Sequence, residues 1–586
     1  MIRVQDLNGA PALVLNGAPV PAVGYMTYLP PYNRYQRFAA AGYGLFFLPV
    51  FFAGRSISAT PGVMPFGKGI FDRKGEPDFS VLDDVVERVL AVNKDAQIIL
   101  RVNVSLPEWW LKENPESLDA TGEHESLSSK TACLAAETLL LRFLSYVRQA
   151  TYAGRVIGYH LAGANTEEWF HYDRDLPPCR AALDGFRQFL ADRYPSDGPA
   201  AEPDLNALKK KGVQHCSLTL SRYLEYRSLC VVNYIITLAR AVRRTVGREA
   251  AIGVFYGYDL EVSVPHFGTH GLSELIKSDA IDFICSPNSY IGCRDPEADW
   301  TEMYPAGSVR LHGKLCFQEC DVRTHLTKLL FASAPEYDPL GKLSAPVWQP
   351  VPDKREALFC IRKTFCRQLI AGNGLWWFDM WGGWYDDPDI MSEMAAYRRI
   401  YGDSLKKEDR SDVCEFAVFT DERMYFQMTD CGLRNAVYDQ RRALGQLGAP
   451  YEIYDITDFE AVRSRFRAVM FLTGIETKGL KKARALCERE GIPYLYNAEE
   501  KPIFSPGELQ AFCRRCGVHL YCETGDVVYV NKNYFAVSAL TPGKKTFRFR
   551  EPLILRGLTD PPVVLSGKTV SLQMARHETV LFEIGR

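Results

Sequence analysis

The stretch "AVGYMTYLPPYNRY", residues 22–35, decides the fold. It opens as an apolar strand and leaves that strand through prolines and tyrosines. An open, doubly wound α/β sheet wants a glycine-rich phosphate turn at this place, because only glycine lets a backbone close on a diphosphate. The residues present favour instead the first strand of a closed barrel.

Working outward, seven more short apolar runs follow. They are "YGLFFLPVFF" (43–52), "AQIILRVNVS" (96–105), "RVIGYHLAG" (155–163), "AAIGVFYGY" (250–258), "AIDFICSP" (280–287), "KLCFQE" (314–319) and "GNGLWWFDM" (372–380). Helical patterns separate them, among them 80–93, 134–150, 217–247 and 353–372. Near-continuous apolar strands alternating with helices indicate a parallel sheet covered on both faces. Eight such units make a (β/α)8 TIM barrel, expected over 1–405.

After the charged stretch "YGDSLKKEDRSD" (401–412), four more strand patterns alternate with helices, at 414–421, 451–458, 468–474 and 492–497. They predict a flavodoxin-like α/β domain over 406–502. Its loops lack GxGxxG and GxxxxGK[ST], so packing or subunit contact suits it better than a nucleotide. From 503 to 586 a helix ending at Gly517 and a strand from near Val518 lead into alternating stretches, which read as a small antiparallel β domain.

The 586 residues are 47% hydrophobic and 24% charged, with a formal net charge of −2 and no basic tract. Nucleic acid and membrane surfaces are therefore set aside as partners. The N-terminal residues lack the basic and apolar regions of a secretory signal, and no apolar run is long enough to span a bilayer. Sixteen scattered cysteines suit reduced thiols, so a cytoplasmic location is expected. Cys513, Cys516, His519 and Cys522 superficially resemble a zinc knuckle. They would straddle the change from helix to strand, so neither metal nor cofactor is expected.

In such a barrel, chemistry gathers where strands end. The fourth strand runs into "GANTEEWFH" (163–171), which carries Glu167 and Glu168, and the seventh ends on Glu319. Two carboxylates facing across one pocket are what glycosidic bond cleavage needs: one protonates the leaving oxygen while the other attacks the anomeric carbon. All nine tryptophans fall between 109 and 384, and several crowd the strand ends. Indoles lining a mouth suit the C–H faces of sugar rings, which makes a carbohydrate the expected partner. Arg101, Asn103, His160, Asn165, Trp169, Tyr258, Tyr290, Trp377, Trp381, Trp384 and Asp379 are the candidate contacts. Strand alternation sends one of Trp376 and Trp377 into the barrel as a plug.

"VIGYHLAGANTEEW", "KLCFQE", "GLWWFDMWGGWY" and "SLPEWWLKENPE" together resemble a retaining glycoside hydrolase of clan A, in particular the family 42 β-galactosidases. The order of barrel, α/β domain and β domain matches as well. The resemblance implies Glu319 as nucleophile, and Glu168, followed by Trp169, as acid/base. Glu167 then stands where the clan has an asparagine that contacts the sugar 2-hydroxyl, a departure that bears on galactoside specificity. Tyr290 resembles the tyrosine that hydrogen-bonds the nucleophile, and a homo-oligomer, possibly a trimer, is implied. The expected activity is a retaining exo-β-glycosidase, β-galactosidase-like first. Alternatives are a transglycosidase, another specificity such as β-mannosidase, β-glucosidase or uronidase, and an inactive carbohydrate-binding protein.

Overall fold

The computed structural model describes all residues except 199–200, 210–214, 263–264, 429–433, 499–500, 560–561 and 586. The chain opens with an antiparallel sheet that was not among the expected strands: β1 (Ile2–Leu7), β2 (Ala10–Leu15) and β3 (Ala18–Pro19). Its two turns are Asn8-Gly9 and Asn16-Gly17, all four residues with φ between +51° and +97°. Asn-Gly supplies that conformation cheaply and matches the twist of a tight hairpin. The Ile2 amide donates to the Arg248 carbonyl just ahead of the fifth barrel strand, so this sheet covers the end where the barrel strands begin.

All eight expected barrel strands are present: β4 (Val23–Met26), β5 (Leu45–Phe51), β6 (Gln97–Asn103), β7 (Val156–Ala162), β8 (Ala251–Phe255), β9 (Phe283–Pro287), β10 (Leu315–Cys320) and β11 (Gly374–Phe378). They close in parallel, with β11 pairing both β10 and β4. Every residue in them except Gln97 is buried, which is why each run looks apolar throughout. The interior is filled by aromatic rings: Trp376 packs on Phe47, Phe317 and His160. Glycines make the room for them. A Cβ on Gly253 would fall on the ring of Phe283, and one on Gly374 would lie 2.9 Å from the ring of Phe317.

The second sheet, β12 (Phe416–Thr420), β13 (Tyr451–Asp455), β14 (Ala468–Leu472) and β15 (Tyr494–Tyr496), is parallel in the order β13-β12-β14-β15. The third is antiparallel: β16 (Val527–Val530), β17 (Tyr534–Ser538), β18 (Gly543–Gly557), β19 (Val564–Met574) and β20 (Thr579–Gly585). Helix Pro506–Arg515, started by a Ser505–Glu508 capping box, buries Leu509, Phe512 and Cys513 against the second sheet. No strand forms at Val518. Cys513 packs in the α/β core and Cys522 in the β-domain core, while His519 Nε2 meets the Arg548 carbonyl at 2.9 Å. Cys516 packs against the same α/β core as Cys513, so the four side chains of the apparent zinc knuckle are divided between that core, the β-domain core and the Arg548 carbonyl.

Gly253→Ala should destabilise the barrel by about 1–3 kcal/mol through overpacking against Phe283, and thermal melting measures it. Gly154→Ala, where a Cβ meets nothing within 4 Å, should melt like the wild type.

Candidate active site

The ends of β6, β7 and β10 bring one cation and three carboxyl groups together. Arg101 and Asn103 lie two apart on β6 and so share its inward face. The Arg101 guanidinium is fully buried. It meets Glu167 Oε2 at 2.8 Å through Nε and Glu319 Oε2 at 2.7 Å through Nη1, and donates from Nη2 to the Tyr28 hydroxyl at 3.1 Å. Asn103 Nδ2 donates to the other Glu167 oxygen at 3.2 Å.

The turn after β7 separates the two adjacent glutamates. Ala164, Thr166, Glu167 and Trp169 all have φ between +56° and +66°. Such conformations are disfavoured for residues with a Cβ and persist only where the surroundings enforce them. Here the Thr166 amide donates to the Ile57 carbonyl at 2.7 Å, the Ala59 amide donates to Asn165 Oδ1 at 3.0 Å, and the Trp169 amide returns to the Gly163 carbonyl at 2.9 Å. The result turns Glu167 inward, wholly buried, and leaves Glu168 partly exposed.

Glu168 accepts hydrogen bonds from the hydroxyls of Thr166 and Tyr258, and no guanidinium pairs with it among the described residues. Burial pushes its carboxyl up to about 7, against the opposing pull of those two hydrogen bonds. Burial also pushes Glu319 up to about 8; Arg101 opposes the rise, and the like charges of Asp321 and Glu168 add to it.

The mouth is walled by the loop after β11. Asp379 accepts the amides of Gly383 and Trp384 at 2.9 and 2.8 Å and the Tyr25 hydroxyl at 3.0 Å. A side chain on Gly382, at φ +86°, would run into the Tyr32 carbonyl. This folded loop sets the Trp381 and Trp384 rings edge to face, 6.3 Å apart, with Trp381 stacked beside Tyr28. The indole N–H groups of both tryptophans are buried without an acceptor among the described residues.

The backbone course can be compared with known proteins. A β-galactosidase from Bacillus circulans sp. alkalophilus superposes with a TM-score of 0.64 at 12% identity, covering 96% of this chain and 98% of that one. Gan42B, a GH42 β-galactosidase from G. stearothermophilus, gives 0.64 at 10% identity over 96% and 98%. A β-galactosidase from the haloarchaeon Halorubrum lacusprofundi gives 0.62 at 13% over 96% and 98%. The fold is that of the GH42 β-galactosidases. No family model and no curated protein matches the chain by sequence.

Within this GH42-type fold, the expected site residues divide. Arg101, Asn103, Glu167, Glu168, Glu319, Tyr258, Trp381 and Trp384 meet at or around the mouth. Five others are placed differently. His160 lies in the barrel interior, ringed by Phe47, Phe255, Phe283 and Trp376. Trp377 points out of the barrel, its indole donating to the Tyr43 hydroxyl at 2.8 Å, while Trp376 is the plug. Trp169 packs behind the barrel wall against Tyr234 of helix Leu218–Val246. Asn165 ties two loops together through Ala59. Tyr290 donates to Asp321 at 3.2 Å, not to Glu319. Tyr28, Thr166, Asp321, Arg294 and Arg323 join the site without having been expected. For two of these a signal existed: "ECDVR" sets the charged residues Asp321 and Arg323 directly beyond the strand that ends on Glu319 and Cys320, where chemistry gathers in a barrel.

Removing the Arg101 charge leaves two carboxylates buried without a cation. Arg101→Met should therefore cost about 3–5 kcal/mol of stability, and adding Glu167→Gln should recover part of it; melting curves of the three proteins test this.

Proposed function

We propose that the protein is a retaining exo-β-glycosidase acting by double displacement, with the β-galactosidase-like fold pointing to a β-linked hexose. The observation that carries the proposal is the different tethering of Glu168 and Glu319. Glu319 is oriented by a guanidinium that favours its ionised form, as a nucleophile requires. Glu168 stands at the mouth hydrogen-bonded by two hydroxyls, at a value near neutrality that suits proton transfer in both directions.

In the first step Glu319 attacks the anomeric carbon as Glu168 protonates the glycosidic oxygen, and the aglycone departs as an alcohol. In the second, ionised Glu168 takes a proton from water, whose oxygen displaces Glu319 and frees the sugar. Glu167, held by Arg101 and Asn103, positions the site and moves no proton. The unpartnered indole N–H groups of Trp381 and Trp384 are donors for the sugar hydroxyls.

Glu319→Gln should abolish turnover of para-nitrophenyl β-glycosides; appreciable residual activity would sink the assignment. Glu168→Gln should slow substrates with poor leaving groups by roughly 10²–10⁴-fold and be rescued by azide on activated aryl glycosides. If Glu167→Gln alone were rescued, the roles of the two neighbours would be exchanged.

The pH dependence follows from the two raised carboxyls. Below about 7 both hold protons and above about 8 both are ionised; between them the single proton rests mainly on Glu319, and the productive form is the minority one with the proton on Glu168 and Glu319 ionised against Arg101. The kcat/KM profile should be a bell with its maximum between about 7 and 8, its limbs belonging to the pair and not to either group. An optimum near pH 5 would contradict it.

A further inference from the structure

Asp321 and Arg323 stand two and four residues after Glu319, in the loop that follows the end of β10 at Cys320. Asp321 is fully buried and is met by two guanidiniums, Arg294 and Arg323. Arg294, like Arg323, reaches both a carboxylate oxygen and the carbonyl of Asp321. Arg101 faces two carboxylates, Glu167 and Glu319, so the second guanidinium on Asp321 brings the three arginines of the mouth level with three carboxylates.

The way Arg323 is bonded shows where its charge is directed. Its Nη1 is committed to Asp321, to Oδ2 at 2.6 Å and to the carbonyl oxygen. Its Nε and Nη2 are buried with no acceptor among the described residues. On a planar guanidinium these two N–H groups lie along one edge, the fork that matches the two oxygens of a carboxylate or phosphate. A buried donor without an acceptor is costly; several buried arginines leave Nε so placed, but among the described residues Arg323 leaves Nη2 without an acceptor as well. Here such donors occur in a group: the indole N–H groups of Trp381 and Trp384 are unpartnered too, and Arg323 lies 5.3 Å over the Trp384 ring. From Trp384 the wall continues through Trp381 to Tyr28, which is bonded to Arg101, the partner of Glu319. The donor cluster thus belongs to the catalytic mouth.

We propose that the glycoside taken at this mouth carries an oxyanion, the carboxylate of a uronic acid or a phosphate ester on the sugar, and that the Nε–Nη2 edge of Arg323 recognises it. This names the substrate class of the site described above and rests on the glycosidase reading. Asp321 aims the guanidinium, Arg294 balances Asp321, and Trp384 covers the face of Arg323. A neutral sugar would leave the fork unpaired.

The test compares three aryl β-glycosides: the galactoside, the galacturonide and the galactoside 6-phosphate. One of the two anionic substrates should exceed the neutral one in kcat/KM by roughly 10- to 100-fold, the effect of a charge-assisted bidentate pair; which one does so separates carboxylate from phosphate. Arg323→Gln should lower that ratio by a similar factor. Arg323→Lys keeps a charge beside Asp321 but has no fork, so it should lose the preference while melting close to the wild type. Faster cleavage of the neutral galactoside than of both anionic ones overturns the proposal, as does a ratio unchanged in both variants. Calorimetric titration of galacturonate, galactose 6-phosphate and galactose into Glu319→Gln separates the two levels. Anion binding with no glycoside cleaved by the wild type refutes the glycosidase reading and keeps the anion site. Neutral turnover without anion binding refutes the anion site alone, and absence of both refutes both.

Discussion

The contact on which the rest depends is the buried guanidinium of Arg101 between Glu167 and Glu319. A cation fully out of water is tolerated only if carboxylates and hydrogen-bond acceptors surround it. Here β6 supplies the cation, the turn after β7 supplies one carboxylate, β10 supplies the other, and Tyr28 beyond β4 takes a third N–H. The face of Phe255 on β8 lies 4.3 Å from the same guanidinium. Five of the eight strands are thereby held to one point at the mouth. The pairing also divides labour between neighbours in sequence: Glu167 is spent on Arg101, and Glu168 is left with hydroxyls.

The α/β domain reaches the site through a chain of polar contacts that starts on its helix Gln440–Gly445. Arg441, fully buried, meets Glu261 Oε2 at 2.7 Å. Glu261 in turn accepts the Tyr290 amide and the Ser289 hydroxyl, each at 2.8 Å. Tyr290 donates to Asp321. The segment after β9 that carries Tyr290 is therefore positioned partly from the α/β domain, which gives that domain a part in shaping the mouth.

Much of the architecture was legible because burial leaves a periodic mark. Each barrel strand is an apolar run, and each could be located within a few residues. The hairpin turns at Asn8-Gly9 and Asn16-Gly17 carried an equally plain signal, from a residue pair that adopts positive φ. Side-chain direction was less legible. Trp376 and Trp377 are both fully buried, one inside the barrel and one outside it, and composition cannot tell them apart. Trp169 and His160 were expected at the sugar because aromatic and polar residues near strand ends suit one. Packing instead turned Trp169 toward Tyr234 and enclosed His160 in rings.

What the sequence determined by itself was the order of elements and the placing of carboxyl groups at the ends of the fourth and seventh barrel strands, since both follow from local periodicity. The choice between Glu167 and Glu168 belongs to the tertiary structure. It depends on four positive φ angles held by loops distant in sequence, and on a cation arriving from another strand. The same holds for Arg323, whose free edge exists only because Asp321 occupies the other side of its guanidinium. A residue type states which bonds a side chain can make; only the closed barrel states which of them are already taken.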